Sequence, residues 1–137
     1  MNKEELELLL KKAVTSLFVD QPDIYGFTPS TLQTEWNLAH HLANEIHKFF
    51  PRLSCDLDIT KPNDANKRPD IIFHKRGRND SNFLVIEVKR NGAKKDLEND
   101  AEKIKSFWFR RPLRYQFGAV VNLKTNKTAD IRVLINS

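Results

Sequence analysis

Apolar and polar residues follow two different periods along the chain, and these periods predict a mixture of helices and strands. Apolar residues at helical spacing predict helices over residues 3–19 and 94–108. Another helix is predicted between a capping box at Ser30 and Gln33 and the helix-ending Pro51. Alternating or β-branched runs predict strands at residues 53–59, 70–74, 83–89, 117–123 and 131–135.

The order of these elements is helix, helix, strand, strand, strand, helix, strand, strand. It predicts an α/β fold in which a mixed sheet of four or five strands has helices on both faces. A chain of 137 residues, of which 39% are hydrophobic, has enough apolar material for one core. We therefore expect a single domain over residues 1–137, with residues 20–29 as a loop after the first helix.

Composition excludes several classes of protein. No apolar run approaches the roughly 20 residues that a membrane-spanning helix needs. The first twelve residues, MNKEELELLLKK, resemble neither a secretory signal nor a transit peptide. The only cysteine, Cys55, has no intramolecular disulfide partner and is expected to be a small buried hydrophobic residue. We therefore expect a soluble, cytoplasmic protein with no membrane partner.

Positive charge is concentrated in the middle of the chain. The net charge is +5, yet residues 61–95 alone carry ten basic and four acidic side chains. Such a concentration favours a polyanionic partner, most often a nucleic acid, although it is also compatible with an ordinary solvated surface.

Two charged residues interrupt the apolar strand at residues 83–89. Glu87 and Lys89 share one face of this strand with Phe83 and Val85, because successive side chains alternate between faces. Burying such charges is costly unless they are paired or bind a metal. Asp70 opens the preceding strand, and antiparallel pairing of the two strands would bring it beside Glu87 and Lys89.

One acid also interrupts the apolar seam of the second predicted helix. The seam runs through positions 32, 35, 39, 42, 46 and 49, and Glu35 is the charged member of it. Glu45 lies off the seam and is interpreted as a solvated surface acid. Glu35 is therefore the candidate functional acid of this helix.

Taken together, Pro69-Asp70 and the later Glu87-Val88-Lys89 resemble the motif of the PD-(D/E)xK nuclease superfamily. Residues 30–123 follow the helix, three strands, helix, strand order of its restriction-endonuclease-like core. Glu35 matches the acidic residue on the first core helix of that superfamily. On this resemblance, residues 1–29 are an N-terminal helix and loop added to the core.

The resemblance implies a metal-dependent endonuclease that hydrolyses phosphodiester bonds of DNA, with RNA left open. Its catalytic residues would be Glu35, Asp70, Glu87 and Lys89. Asp70, Glu87 and the backbone carbonyl of Val88 would bind Mg²⁺ or Mn²⁺, and Lys89 would orient or deprotonate the attacking water or stabilise the phosphate. Cutting both strands would call for a homodimer.

Simpler interpretations remain for each residue. Asp70 could form a turn after Pro69, Lys89 could pair with Glu87 at the strand end, and Glu35 could cap its own helix. The protein would then be a non-catalytic nucleic-acid-binding module, or a protein-interaction module that docks through its N-terminal helix. The docking alternative requires the leucine face of that helix to be free.

Basic residues around the motif are the candidates for phosphate contacts. They lie in predicted loops and at strand ends, where long side chains can reach solvent. No element resembles a base-reading helix, so we expect selectivity for nucleic-acid shape or structure. The candidates are Lys61, Lys67, Arg68, Arg76, Arg78, Arg90, Lys94 and Lys95.

Overall fold

The computed structural model describes residues 1–27, 32–57 and 68–137, without the side chains of residues 27 and 32–34. The capping box at Ser30, the end of the first predicted strand, and Lys61 and Lys67 lie outside the described residues. The elements are α1 (Lys3–Asp20), α2 (Ile24–Phe27), α3 (Leu32–His47), β1 (Ser54–Leu57), β2 (Ile71–His74), β3 (Leu84–Arg90), α4 (Lys94–Lys103) with a π-helical extension (Ile104–Trp108), β4 (Phe117–Leu123) and β5 (Ala129–Ile135).

The strands form one five-stranded sheet in the order β1-β2-β3-β4-β5. Neighbouring strands are antiparallel except for β3 and β4, which are parallel. A parallel pair needs a long crossover, and α4 with its π-helical extension lies in that connection. The predicted α/β class and mixed sheet are confirmed.

Helices pack on both faces of the sheet because strand residues alternate between two apolar clusters. Leu84, Ile86 and Val88 of β3 face the cluster formed with α1 and α3, whereas Val85 faces α4. Phe83 was predicted to share the face of Val85, and this is wrong. Since β3 begins only at Leu84, the Phe83 ring packs against the α1 and α3 cluster.

The N-terminal helix buries its leucine face within the protein. Leu6 and Leu10 are fully buried in the cluster with α3 and the sheet, and Leu9 packs against the same cluster. The docking alternative for this helix therefore loses the surface on which it depends. The segment predicted as a loop contains the single turn α2, whose Ile24 and Tyr25 are also buried in this core.

A glycine permits close packing of the π-helical extension on β4. A Cβ atom at Gly118 would lie 2.5 Å from Cγ2 of Ile104, which is too close for any other residue without a shift. In the described part of the chain, no helix has both the length and the apolar character to cross a membrane.

Candidate active site

The pairing of β2 with β3 brings Asp70 next to Glu87. Ile71 pairs with Ile86 in antiparallel register, so Asp70, one residue earlier, lies across from Glu87. The Asp70 Oδ2 atom accepts a hydrogen bond of 2.6 Å from the backbone N–H of Val88. The adjacency predicted from the two strands is therefore present, with Asp70 at the bend that precedes β2.

Glu87 lies on the α4 face of β3 and is almost completely buried, with 2% of its surface exposed. The Lys103 ammonium of α4 lies 3.0 Å from Glu87 Oε1. Burial raises the pKa of Glu87 well above its ordinary value, the Asp70 charge raises it further, and Lys103 opposes both. The Lys103 ammonium is thus the described cation in contact with this buried oxygen.

Lys89 pairs with a different acid, Asp100 of α4. Its Nζ atom lies 3.4 Å from Asp100 Oδ2. Partial burial lowers the pKa of Lys89, but the negative charges of Asp100 and Glu35 outweigh this effect and hold the pKa above its ordinary value. Burial raises the pKa of Asp100, although Lys89 and Lys103 oppose this. The ammonium of Lys89 is therefore held on the α4 side of the site.

Glu35 approaches the same site from the first turn of α3. Burial raises the pKa of Glu35, and the charges of Lys89, Asp70 and Asp100 all act on it. The backbone N–H of Arg90, at the end of β3, acts in the opposite direction and lowers the pKa of Glu35. The acid predicted from the helical seam thus lies beside the acids of the strands.

The prediction for Glu45, the other acid of α3, is wrong. Glu45 was predicted to be a solvated surface acid, but only 8% of its surface is exposed. Its carboxylate is 3.0 Å from the Lys48 ammonium, one turn later, so the pairing offsets the cost of burial. Glu45 belongs to the packing of α3, and its ion pair is with Lys48 rather than with a residue of the site.

The loop between β3 and α4 fixes where α4 begins. Asn91 adopts a left-handed conformation with φ 51°, and its N–H donates to the carbonyl of Leu123. The buried Asn122 accepts a hydrogen bond from the Gly92 N–H at 2.8 Å. A Cβ atom at Gly92 would lie 3.1 Å from Cβ of Lys89. This loop therefore passes close to Lys89 before α4 carries Asp100 and Lys103 over the sheet.

The cluster carries more negative than positive charge. Four carboxyl groups, on Glu35, Asp70, Glu87 and Asp100, lie around two ammonium groups, on Lys89 and Lys103. If all six were ionised, their net charge would be −2. The pKa of each carboxyl group is raised chiefly by burial. A neighbouring acid adds to the effect at Glu35, Glu87 and Asp100, whereas Val88, Glu87 and the two lysines oppose it at Asp70.

The donor chemistry of the cluster fits a divalent cation that prefers oxygen. Mg²⁺ typically takes one or two carboxylates and keeps several waters. Asp70 and Glu87 supply such carboxylates, and the Glu87 carboxylate is buried beside a partly exposed ammonium, that of Lys103. Within the described residues, no three His, Cys, Asp or Glu side chains form a group that could hold a metal. The fit thus depends on two protein carboxylates and water.

Asp100 and Lys103 are site residues that the sequence reasoning missed. The signal was present, because Asp100 lies three residues after Leu97 and four before Ile104, on the apolar side of the predicted helix. The same criterion that selected Glu35 would have selected Asp100. Lys103 lies three residues after Asp100, on a neighbouring part of that helix surface.

Several candidate phosphate-binding arginines are already paired. Arg76 makes a two-nitrogen contact with Asp56, and Arg78 contacts Asp80 in the same way. Arg90 donates to the backbone carbonyl of Tyr25, and its guanidinium lies 4.2 Å from the centre of that ring. Arg90 therefore holds α2 against the end of β3.

Other candidate cations are exposed. Lys94 and Lys95 form the first turn of α4, immediately after the loop that follows β3, and Arg68 is exposed just before Asp70. These side chains border the acidic cluster along the chain. Lys94 and Lys95 are better placed than Arg76 and Arg78, which are paired with acids, to contact a phosphate near it.

The contacts of His74 and Cys55 indicate structural roles for these two side chains. The buried His74 pairs with Asp56, with 2.6 Å between Nε2 and Oδ2. Burial raises the pKa of the Cys55 thiol to about 12, which disfavours a reactive thiolate. Cys55 was predicted to be buried, but it is only partly buried and packs against the core cluster of α1 and α3.

The chain matches no protein-family model, and comparisons with curated proteins and with solved structures find no significant match.

Proposed function

We propose that this protein is a metal-dependent endonuclease of the PD-(D/E)xK type that hydrolyses phosphodiester bonds of DNA. The observation that carries the proposal is the meeting of Glu35, Asp70, Glu87 and Lys89 at one end of the sheet. These residues come from α3, the start of β2 and the end of β3. The chain order α3, β1, β2, β3, α4, β4 is compatible with the core of that superfamily.

Asp70, Glu87 and the backbone carbonyl of Val88 would hold Mg²⁺ or Mn²⁺ in this proposal. When bound, the ion would neutralise charge on the scissile phosphate and lower the pKa of a bound water, which would make that water a better nucleophile. The hydrogen bond from the Val88 N–H fixes one oxygen of Asp70 and thereby orients its carboxylate. The burial of Glu87 keeps its carboxylate away from bulk water. An electrostatic contact is stronger in such a buried place than in water, because the dielectric constant is lower.

In this proposal Lys89 supplies the positive charge that acts on the substrate. A protonated ammonium donates hydrogen bonds to a phosphate oxygen or to the attacking water, and both actions stabilise charge that develops during attack. Asp100 and Glu35 keep this group charged, because both raise its pKa. Glu35 would act as an accessory acid, through a water or a second cation.

The direct test combines metal binding with cleavage. Mg²⁺ and Mn²⁺ binding is measured by calorimetry, and cleavage is followed on linear, nicked, branched and single-stranded DNA and on RNA. The test variant is the Asp70→Asn, Glu87→Gln double variant. The matched control is the Asp96→Asn, Glu98→Gln double variant, which makes the same changes at exposed positions of α4.

We expect the parent and control to bind metal and cut DNA, and the test variant to do neither. Metal binding and cleavage that survive in the test variant would contradict the proposed site. A parent that binds DNA in a salt-dependent manner but cuts no substrate would instead favour a non-catalytic nucleic-acid-binding module.

A further inference from the structure

A lysine of α4 neutralises the most deeply buried acid of the site. Lys103 Nζ lies 3.0 Å from Glu87 Oε1, where only 3% of the Glu87 side chain is exposed against 29% of the Lys103 side chain. A buried carboxylate is strongly destabilising without a counter-charge. Lys103 is the cation in ion-pair contact with Glu87 within the described residues, since Lys89 pairs with Asp100.

The two members of this pair differ in freedom of movement. Glu87 is anchored in a strand that is paired on both sides, so its carboxylate stays at the sheet surface. Lys103 is on a helix, has four rotatable bonds and is partly exposed, so its ammonium can turn toward solvent. The ion pair can therefore open by movement of the lysine while the carboxylate keeps its place.

An ammonium at this position competes with a divalent cation. Both seek the same buried oxygen, and two like charges within a few ångströms repel strongly at low dielectric. Binding of a cation to Glu87 thus requires the Lys103 ammonium to leave Oε1.

We propose that Lys103 is the resident counter-ion of Glu87 and sets the affinity of the site by competing with the divalent cation. This inference rests on the proposed function, because Glu87 is taken there as a metal ligand. Lys103 lies outside the Glu87-Val88-Lys89 motif, so it is a determinant of metal affinity that the motif does not contain. In the protein without metal, Lys103 neutralises the buried Glu87 carboxylate. When a cation binds, the Lys103 ammonium leaves Glu87 and stays on the α4 side of the site.

The test compares Lys103→Met with Lys105→Met in the full chain. Lys105 is exposed on the π-helical extension, so its substitution controls for loss of one positive charge. Calorimetry with Mn²⁺ alone is expected to give about tenfold tighter binding for Lys103→Met and unchanged binding for Lys105→Met. The melting temperature without metal should fall for Lys103→Met and rise more on addition of Mn²⁺ than in the parent.

Two more variants keep the result interpretable. Lys103→Gln removes the charge but keeps a polar side chain, and serves if the methionine variant does not fold. Adding Glu87→Gln to Lys103→Met should abolish the tighter binding, because the competition acts through Glu87.

Each outcome decides between the two proposals. Equal Mn²⁺ affinity in the parent and Lys103→Met, with binding lost in Asp70→Asn, would overturn the competition and leave the metal site standing. Binding in Lys103→Met but not in the parent would support the competition in its strongest form. Absence of binding in every variant would overturn both the competition and the proposed metal site.

Discussion

The carboxylate of Asp70 is tied to the backbone of Val88, with 2.6 Å between Oδ2 and the amide nitrogen. This hydrogen bond joins the residue before β2 to the strand that carries Glu87 and Lys89. A carboxylate that accepts from a backbone N–H loses rotational freedom, so its remaining oxygen keeps a defined place. The bond offsets only part of the cost of burial, because the pKa of Asp70 is still raised.

The first prediction concerns Asp70→Asn. The amide oxygen can still accept from the Val88 N–H, whereas the negative charge needed for a cation is gone. We expect metal-dependent cleavage to be lost, while the unfolding free energy at pH 7 stays equal or rises by about 0.5–2 kcal/mol, the usual range of a stabilising substitution. Cleavage assays and thermal melts check this, with Asp96→Asn as the control. An Asp70→Asn variant that fails to fold would contradict this prediction, because it would show that the charge of Asp70 is needed for stability.

The second prediction concerns the pH dependence of stability through Glu87. Its pKa in the folded protein is raised by burial and by Asp70, so the folded state holds this proton more tightly than the unfolded state. The unfolding free energy contributed by Glu87 is thus highest below its ordinary pKa and is lost as pH rises through the raised value. Glu87→Gln should therefore stabilise the metal-free protein most at neutral pH and least near pH 4.

The measurement is the difference in melting temperature between Glu87→Gln and the parent across pH 4–8, without metal. The difference cancels the contribution of Asp56, whose pKa is lowered by Arg76 and which acts in the opposite direction. A difference that is constant with pH would show that Glu87 ionises as easily in the folded as in the unfolded state, and one that is largest at low pH would show that it ionises more easily when folded.

Much of the fold could be predicted because the spacing of apolar residues along the chain indicates which side chains are buried. The strands at 83–89 and 117–123 were recognised from β-branched runs, and both are central strands with apolar residues on both faces. The single turn α2 was missed because four residues are too few to show a helical period. The position of Phe83 was missed because alternation holds only inside a strand, and β3 begins one residue later.

The candidate site could be predicted where a charge broke an apolar pattern. Glu35, Glu87 and Lys89 were found in this way. Asp100 satisfied the same criterion on α4 and was overlooked among the many charged residues of that helix. The pairing of Lys103 with Glu87 could not be read from sequence, because it depends on how α4 lies across β3.

The third prediction is that Asp100 positions Lys89. Asp100→Asn removes the negative partner 3.4 Å from Lys89 Nζ, and the long side chain is then free to turn elsewhere. We expect cleavage to fall about 10–100-fold, the usual cost of losing such a supporting partner, and mainly in kcat. Asp96→Asn, on the exposed part of the same helix, should leave kcat unchanged.

A double-mutant cycle separates positioning from loss of fold. In a Lys89→Ala background, Asp100→Asn should have no further effect on kcat, since it acts through Lys89. Asp100→Glu should restore part of the rate. Additive effects in the cycle would mean that Asp100 acts independently of Lys89.

The fourth prediction compares the two acids of α3. Glu35→Gln should lower cleavage by about tenfold or more, because Glu35 interacts with Lys89 and Asp70 at the site. Glu45→Gln should leave cleavage unchanged, because Glu45 pairs with Lys48. Steady-state kinetics of both variants check this, and similar losses in the two would contradict the separate roles of these acids.

The fifth prediction concerns which cations meet the phosphate backbone. Lys94 and Lys95 are exposed at the start of α4, whereas Arg76 and Arg78 are already paired with acids. Removing the two lysines as Lys94→Ala, Lys95→Ala should weaken DNA binding and reduce the slope of log K against log salt by about one to two units. The Arg76→Ala, Arg78→Ala variant removes the same formal charge but should change the slope less, because Asp56 and Asp80 are freed at the same time. Binding titrations between 50 and 200 mM salt distinguish the two, and a larger slope change for the arginine variant would move the nucleic-acid interface to the connection between β2 and β3.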